Sequence, residues 1–166
     1  MGAGERARVV GIKLDERTVI RRNPDIEHER SVAIFDLLDE NLFRLVARPE
    51  AGPFRLQLGI EDNRLIMTVE SDGESVGTPN EQLDKVTLPL AALRKLIRDY
   101  FLVCENYYAA IRSATPSQIE AIDMGRRSLH NEGAEILRHR LADKVEIDHG
   151  TSRRLFTLIC VLHIRG

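Results

Sequence analysis

Near the end of this 166-residue chain, Leu155-Phe156-Thr157-Leu158-Ile159-Cys160-Val161-Leu162 is apolar on every side. Such a segment must be interior, so the rest of the chain has to wrap around it. It reads as a buried helix capped near Thr151. A central strand fits the same run, because periodicity does not separate the two. No apolar run reaches the roughly 18–20 residues that span a bilayer, which argues against an integral membrane protein. The first residues, Met1-Gly2-Ala3-Gly4-Glu5-Arg6, hold no apolar stretch like that of a signal peptide, so a cytoplasmic location is expected. A hydrophobic content of 43% is enough for a core around the buried run.

The hydrophobic period changes along the chain. Residues 8–14 alternate loosely, as a strand does. Asn23-Pro24-Asp25 is a helix start: Asn caps, Pro fits the first position and acids suit the first turn. That helix runs to about Asn41 on a stripe of Ile26, Ala33, Ile34 and Leu37. Leu42–Ala47 is a short strand. Phe54–Ile60 and Leu65–Val69 alternate about a turn at Glu61-Asp62-Asn63, the clearest hairpin in the sequence. Residues 85–88 add a strand. From Pro89 onward, Leu93, Ile97, Tyr100, Phe101, Cys104 and Tyr108 recur at helical spacing. Thr115-Pro116-Ser117-Gln118 is a capping box opening a helix to about Ala142. Lys144–Asp148 is a short strand before the terminal apolar run.

The expected fold is α+β: a small antiparallel sheet packed against about four helices, with a helical C-terminal half. A single domain over 1–166 is expected, with a β-rich lobe at 1–88 and a mainly helical lobe at 89–166.

Three segments are distinctive: Arg-Arg-Asn-Pro-Asp-Ile-Glu-His-Glu-Arg (21–30), residues 117–133 with Ser-Gln-Ile-Glu-Ala-Ile-Asp-Met-Gly-Arg-Arg and Leu-His-Asn-Glu-Gly, and Arg-Arg-Leu-Phe-Thr-Leu-Ile-Cys-Val-Leu-His (153–163). Together they resemble uncharacterised protein family 0262, a family of short alphaproteobacterial proteins. The likeness covers Val9 to Gly166. The first eight residues, the 70–82 loop and Ile164 depart from it. The resemblance implies a cytoplasmic bacterial protein. It brings no activity, cofactor or catalytic residue, so the site has to be read from the residues.

Formal charge is −2, with 24 basic and 26 acidic side chains, which is no footprint for bulk nucleic-acid binding. Twenty of the 24 basic residues are arginine, which suits planar contacts to anions and is also what a GC-rich genome encodes. Placement is more telling than number. Arg126 falls on an apolar helix face between Ile122 and Leu129. Arg30 falls between Ile26 and Ala33. A desolvated guanidinium is costly without a counter-charge, so each needs a carboxylate or a bound anion. Glu27, Asp36, Glu105 and Asp123 are internal candidates, Glu105 foremost.

Asp123, Arg127 and His130 share a stripe of the same helix, an acid, a guanidinium and an imidazole that could make a general base and an anion clamp. The expected site is a polar cleft where segment 21–30 meets the 117–133 helix. Its ligand-binding residues are Arg22, Glu27, His28, Arg30, Arg126, Arg127 and Asn131, with His130 and Asp123 as candidate catalytic groups. Arg21-Arg22 and Arg153-Arg154 also lie beside helix starts, where anions bind. No metal site is expected: the five histidines form no two-His helical motif. Cys104 and Cys160 sit in apolar runs and read as inert core. No cofactor is implied.

The function expected on these grounds is a cytoplasmic binding or regulatory module, recognising an anionic ligand at that cleft or a protein partner. Self-association is compatible with it, and nucleic acid and membrane are not the expected partners. The alternative is a small enzyme acting on a phosphorylated or carboxylated substrate, with His130 as acid/base.

Overall fold

The computed structural model describes residues 3–15 and 24–163. In chain order these are a single helical turn, α1 (Ala3–Arg6), strand β1 (Val9–Leu14), helix α2 (Pro24–Asp39), strands β2 (Phe43–Leu45), β3 (Phe54–Glu61), β4 (Arg64–Ser71) and β5 (Gln82–Pro89), helices α3 (Arg94–Ser113) and α4 (Pro116–Leu141), strand β6 (Val145–Ile147) and helix α5 (His149–Leu162). The fold is α+β, and its C-terminal half is helical.

The alternation of β3 and β4 buries Phe54, Leu56, Leu58, Leu65, Met67 and Val69 on one face. Asp62 and Asn63 turn the hairpin at φ of 51° and 58°, a left-handed geometry that Asp and Asn tolerate. β5 pairs antiparallel with β4, and the sheet order is β1-β3-β4-β5. The sheet is mixed: β1 lies parallel to β3. The chain passes from one to the other by way of α2, and a crossover of that length returns the second strand in the direction of the first. Asn41 closes the edge of β1 at Val9: its Oδ1 accepts from Val9 N at 2.7 Å and its Nδ2 donates to Val9 O at 2.9 Å. β2 and β6 make a separate antiparallel pair.

The apolar C-terminal run is helical, and Leu155 through Leu162 are all buried. α5 packs against α2, α4 and the inner face of β3. Its cap is Asp148, whose carboxylate accepts from Thr151 N at 2.8 Å. The expected cap, Thr151, is one turn inside and fully buried, and its Oγ1 accepts from Leu42 N. α4 crosses α5 closely at Gly133, where an added Cβ would come within 2.5 Å of the Phe156 ring. Beside it Ser152 Oγ donates to Ala134 O at 2.6 Å.

α3 and α4 form a long antiparallel hairpin. The Thr115 capping box starts α4 as its sequence dictates, with Gln118 N donating to Thr115 Oγ1 and Thr115 N to Gln118 Oε1. Between Glu105 and Glu132 only Ala110 is buried, so the far end of this hairpin stands out from the core.

Candidate functional site

The inner face of α2 carries Ile26, Glu29, Ala33 and Leu37 at helical spacing, all buried. Glu29 is thus a carboxylate placed in an apolar stripe, and a desolvated acid needs partners. It has two. The Cys104 thiol of α3 donates to Glu29 Oε1 at 3.5 Å, and Arg126 Nη1 of α4 donates to the same oxygen at 3.1 Å. Arg126 also reaches back along its own helix: Nε and Nη2 donate to Asp123 Oδ1 at 3.2 and 3.0 Å. Its Cζ sits 4.5 Å above the Tyr107 ring, a cation–π contact that covers one face of the guanidinium. Asp123 Oδ2 lies 3.2 Å from Arg127 Nε. Two acids and two guanidiniums therefore balance at the meeting of α2, α3 and α4, with Glu29 only 9% and Arg126 22% exposed.

The electrostatics follow from that pairing. Burial alone would lower the Arg126 pKa, but the Asp123 hydrogen bond and the Glu29 charge outweigh it and raise it. One turn further along α4, His130 stacks on Tyr100 at 5.4 Å between centroids and meets Phe156 edge-on. Burial, aided by the charges of Arg126 and Arg153, pushes the imidazole down to about 4, with Asp123 opposing. The ring is neutral at physiological pH. Its Nε2 and the Tyr100 hydroxyl are buried, without hydrogen-bond partners among the described residues. The Cys104 thiol lies beside that hydroxyl, in a geometry that makes no hydrogen bond, and burial together with Glu29 pushes it up to about 12. Burial raises the Cys160 thiol as well. Protonated thiols are weak nucleophiles, so neither cysteine is set up for attack.

The two segments named from sequence do meet, but through a different residue. Glu29, not Glu105 or Glu27, faces Arg126, and Glu105 is exposed. Arg126, Asp123 and Arg127 come together as the helical spacing required. Arg30 does not join them: it lies on the flank of α2, 3.8 Å from Glu27 of its own helix. His28 is exposed on the outer side of α2. Asn131 faces α5, where its Oδ1 lies 3.1 Å from His149 Nε2. Arg21 and Arg22 lie outside the described residues. Arg153 and Arg154 do not frame an anion site, because α5 begins at His149 and Asp148 already places a carboxylate on its N-terminus. Arg154 Nη1 instead donates to Glu40 O at 3.4 Å.

Arg55 went unnoticed in the sequence. Its Nε lies 2.8 Å from Asp72 Oδ1 and its Nη2 3.2 Å from Glu74 Oε2. The Asp72 hydrogen bond holds that carboxyl below its ordinary range and raises the guanidinium. Two of the five acids between Glu70 and Asp84, Asp72 and Glu74, thus fold their own loop onto the sheet. Among the described residues, no three His, Cys, Asp or Glu side chains gather as metal ligands. No helix there is long and apolar enough to cross a membrane.

Residues 6–165 match the model of an uncharacterised protein family, UPF0262. A member from Rhodospirillum rubrum is 56% identical over 158 residues, covering 95% of this chain and 93% of its own. Members from Brucella anthropi and Brucella canis are each 54% identical over 161 residues, covering 96% of both chains. No solved structure matches. With a match from end to end and more than half of the residues shared, the chain belongs to the uncharacterised protein family UPF0262.

Proposed function

We propose that the protein is a protein-binding module in which the Arg126 junction is a brace and the α3–α4 hairpin carries the recognition surface. The observation that supports this reading is the pairing of Arg126 with both Glu29 and Asp123. A guanidinium with three of its five N–H donors on two carboxylates, both already balancing its charge, and with one face on Tyr107 is a poor clamp for a third anion. The hairpin, by contrast, shows apolar surface: Leu102 is 55% and Met124 58% exposed. A shallow groove of about 480 Å³ runs between the helices, lined by Val103, Asn106, Ala110, Ser113, Ile122 and Gly125. Its small residues would let a partner's helix lie close. Both cysteines are free and buried, which suits a reducing compartment, and the cytoplasm is the location we propose.

A second reading, an enzyme acting on a small anion, draws on His130. Its neutral imidazole beside Arg126 is in the protonation state of a base, and its Nε2 has no hydrogen-bond partner among the described residues. One screen separates the two. Thermal shifts are measured with phosphorylated and carboxylated metabolites and nucleotides on wild type, His130→Leu and Arg126→Met. The binding-module reading expects no ligand to raise the melting temperature. A ligand that stabilises wild type but neither variant would establish the anion site. In the same reading, Gly125→Arg, placed in open space, abolishes capture of a partner that the wild-type chain retains.

A further inference from the structure

α2 has an outer stripe as well as an inner one. His28, Val32, Phe35 and Asp39 follow one another at spacings of four, three and four, so they fall within about 60° on the helix. All four are exposed, Phe35 at 70% and Val32 at 40%. The stripe is about 16 Å long at 1.5 Å per residue. Ser31, Ile34 and Leu38 flank Phe35 and form a shallow groove beside it.

The order of chemical types along this stripe is its most informative property. An imidazole stands at one end, a carboxylate at the other, and two large apolar side chains between them. An identical helix laid antiparallel about a two-fold axis sets Val32 against Phe35 of the copy. At each end of the same register His28 meets Asp39 of the copy. A parallel copy would instead oppose Asp39 to Asp39 and His28 to His28. The stripe is therefore complementary to its own reverse, which is what an isologous contact requires. An imidazole donates an N–H in either protonation state, so the end pairs form as hydrogen bonds whether or not the ring is charged.

We infer that the outer stripe of α2 is a self-association surface, on which a second copy of this chain docks antiparallel with Val32 opposite Phe35 and His28 opposite Asp39. A single helix pair buries less than a standard interface, so the association is weak and depends on concentration. It engages the side of α2 turned away from the junction, and it does not depend on the hairpin reading.

Sedimentation equilibrium of the full chain from 10 μM to 1 mM tests it. A reversible monomer–dimer equilibrium is expected, weakened at least tenfold by Phe35→Asp, whose exposed position leaves the circular dichroism unchanged. Register is read by cysteine cross-linking under mild oxidation. Val32→Cys protein mixed with Phe35→Cys protein is expected to cross-link faster than either alone. Asp39→His weakens the dimer, and the His28→Asp/Asp39→His exchange restores it. A wild-type chain that stays monomeric throughout leaves the stripe to some other partner and overturns the inference. So does a dimer insensitive to Phe35→Asp, and so does faster cross-linking of Val32→Cys to itself, the mark of a parallel pair.

Discussion

His130 shows how far position overrides residue type. On the helical wheel it is an imidazole next to an acid and an arginine, an arrangement suited to acid–base chemistry. In the fold it stacks on Tyr100 and meets Phe156 edge-on, and burial with two nearby arginines drives its pKa to about 4. The folded state then binds fewer protons than the unfolded state between about pH 4 and 6.5. The stability this ring contributes is complete above pH 6.5 and is lost as pH falls toward 4. The window is worth about 3 kcal/mol at the outside. Urea denaturation of wild type and His130→Leu at pH 7.5 and 4.5 measures it. The wild type is expected to lose more stability on acidification than the variant; parallel losses would mean that the ring is solvated. Glu29 is the residue that sequence reasoning passed over. It lies three residues after Ile26 and four before Ala33, squarely on the buried stripe, so the signal was there. Arg30, its neighbour, is the charge that the spacing places in an apolar face; in the fold it sits at the stripe's flank beside Glu27.

Among the elements, those with local signatures were legible in advance. The β3–β4 hairpin, the Thr115 capping box and the helical period from Pro89 onward each depend on neighbours within a few residues, and each formed as expected. The parallel pairing of β1 with β3 was not legible, because nothing in either strand records which neighbour a crossover will bring. α5 is capped by Asp148 rather than Thr151, which lies inside its first turn with its hydroxyl accepting from Leu42 N, a contact 109 residues away in sequence. Two glycines of α4 give a matched test of its packing. Gly133→Ala drives a methyl into Phe156, an overpacking cost of about 1–3 kcal/mol that the helix-propensity gain of up to about 1 kcal/mol offsets only in part, so a net loss of stability is expected. Gly125→Ala meets open space and is expected to stabilise by up to about 1 kcal/mol. Opposite signs in thermal denaturation confirm the α4–α5 contact; equal signs refute it. Thr115→Ala, which removes one half of the capping box, is expected to cost about 1 kcal/mol in the same assay.

Across the whole molecule, the sheet, α5 and the near ends of α3 and α4 make one core, and only the far end of the α3–α4 hairpin extends beyond it. Besides the apolar packing of α2 and α4 on α5, polar contacts tie the hairpin to α2: Glu29 to Arg126, and Arg112 of the hairpin 3.4 Å from Asp25 at the start of α2. The sequence argument that an arginine in an apolar face must meet a counter-charge holds at Arg126. One answering acid, Asp123, lies three residues back on the same helix and is among those the sequence offers; the other, Glu29, depends on how α2 lies across the hairpin, a tertiary fact with no local record. If this brace organises the molecule, Glu29 and Arg126 must be strongly coupled. A double-mutant cycle of Glu29→Gln, which keeps an acceptor for Cys104, and Arg126→Met, which keeps the stem over Tyr107, measures that coupling by urea denaturation. A coupling energy of about 2 kcal/mol is the expected result for a largely desolvated pair. A value below about 0.5 kcal/mol, as exposed ion pairs give, would contradict the account.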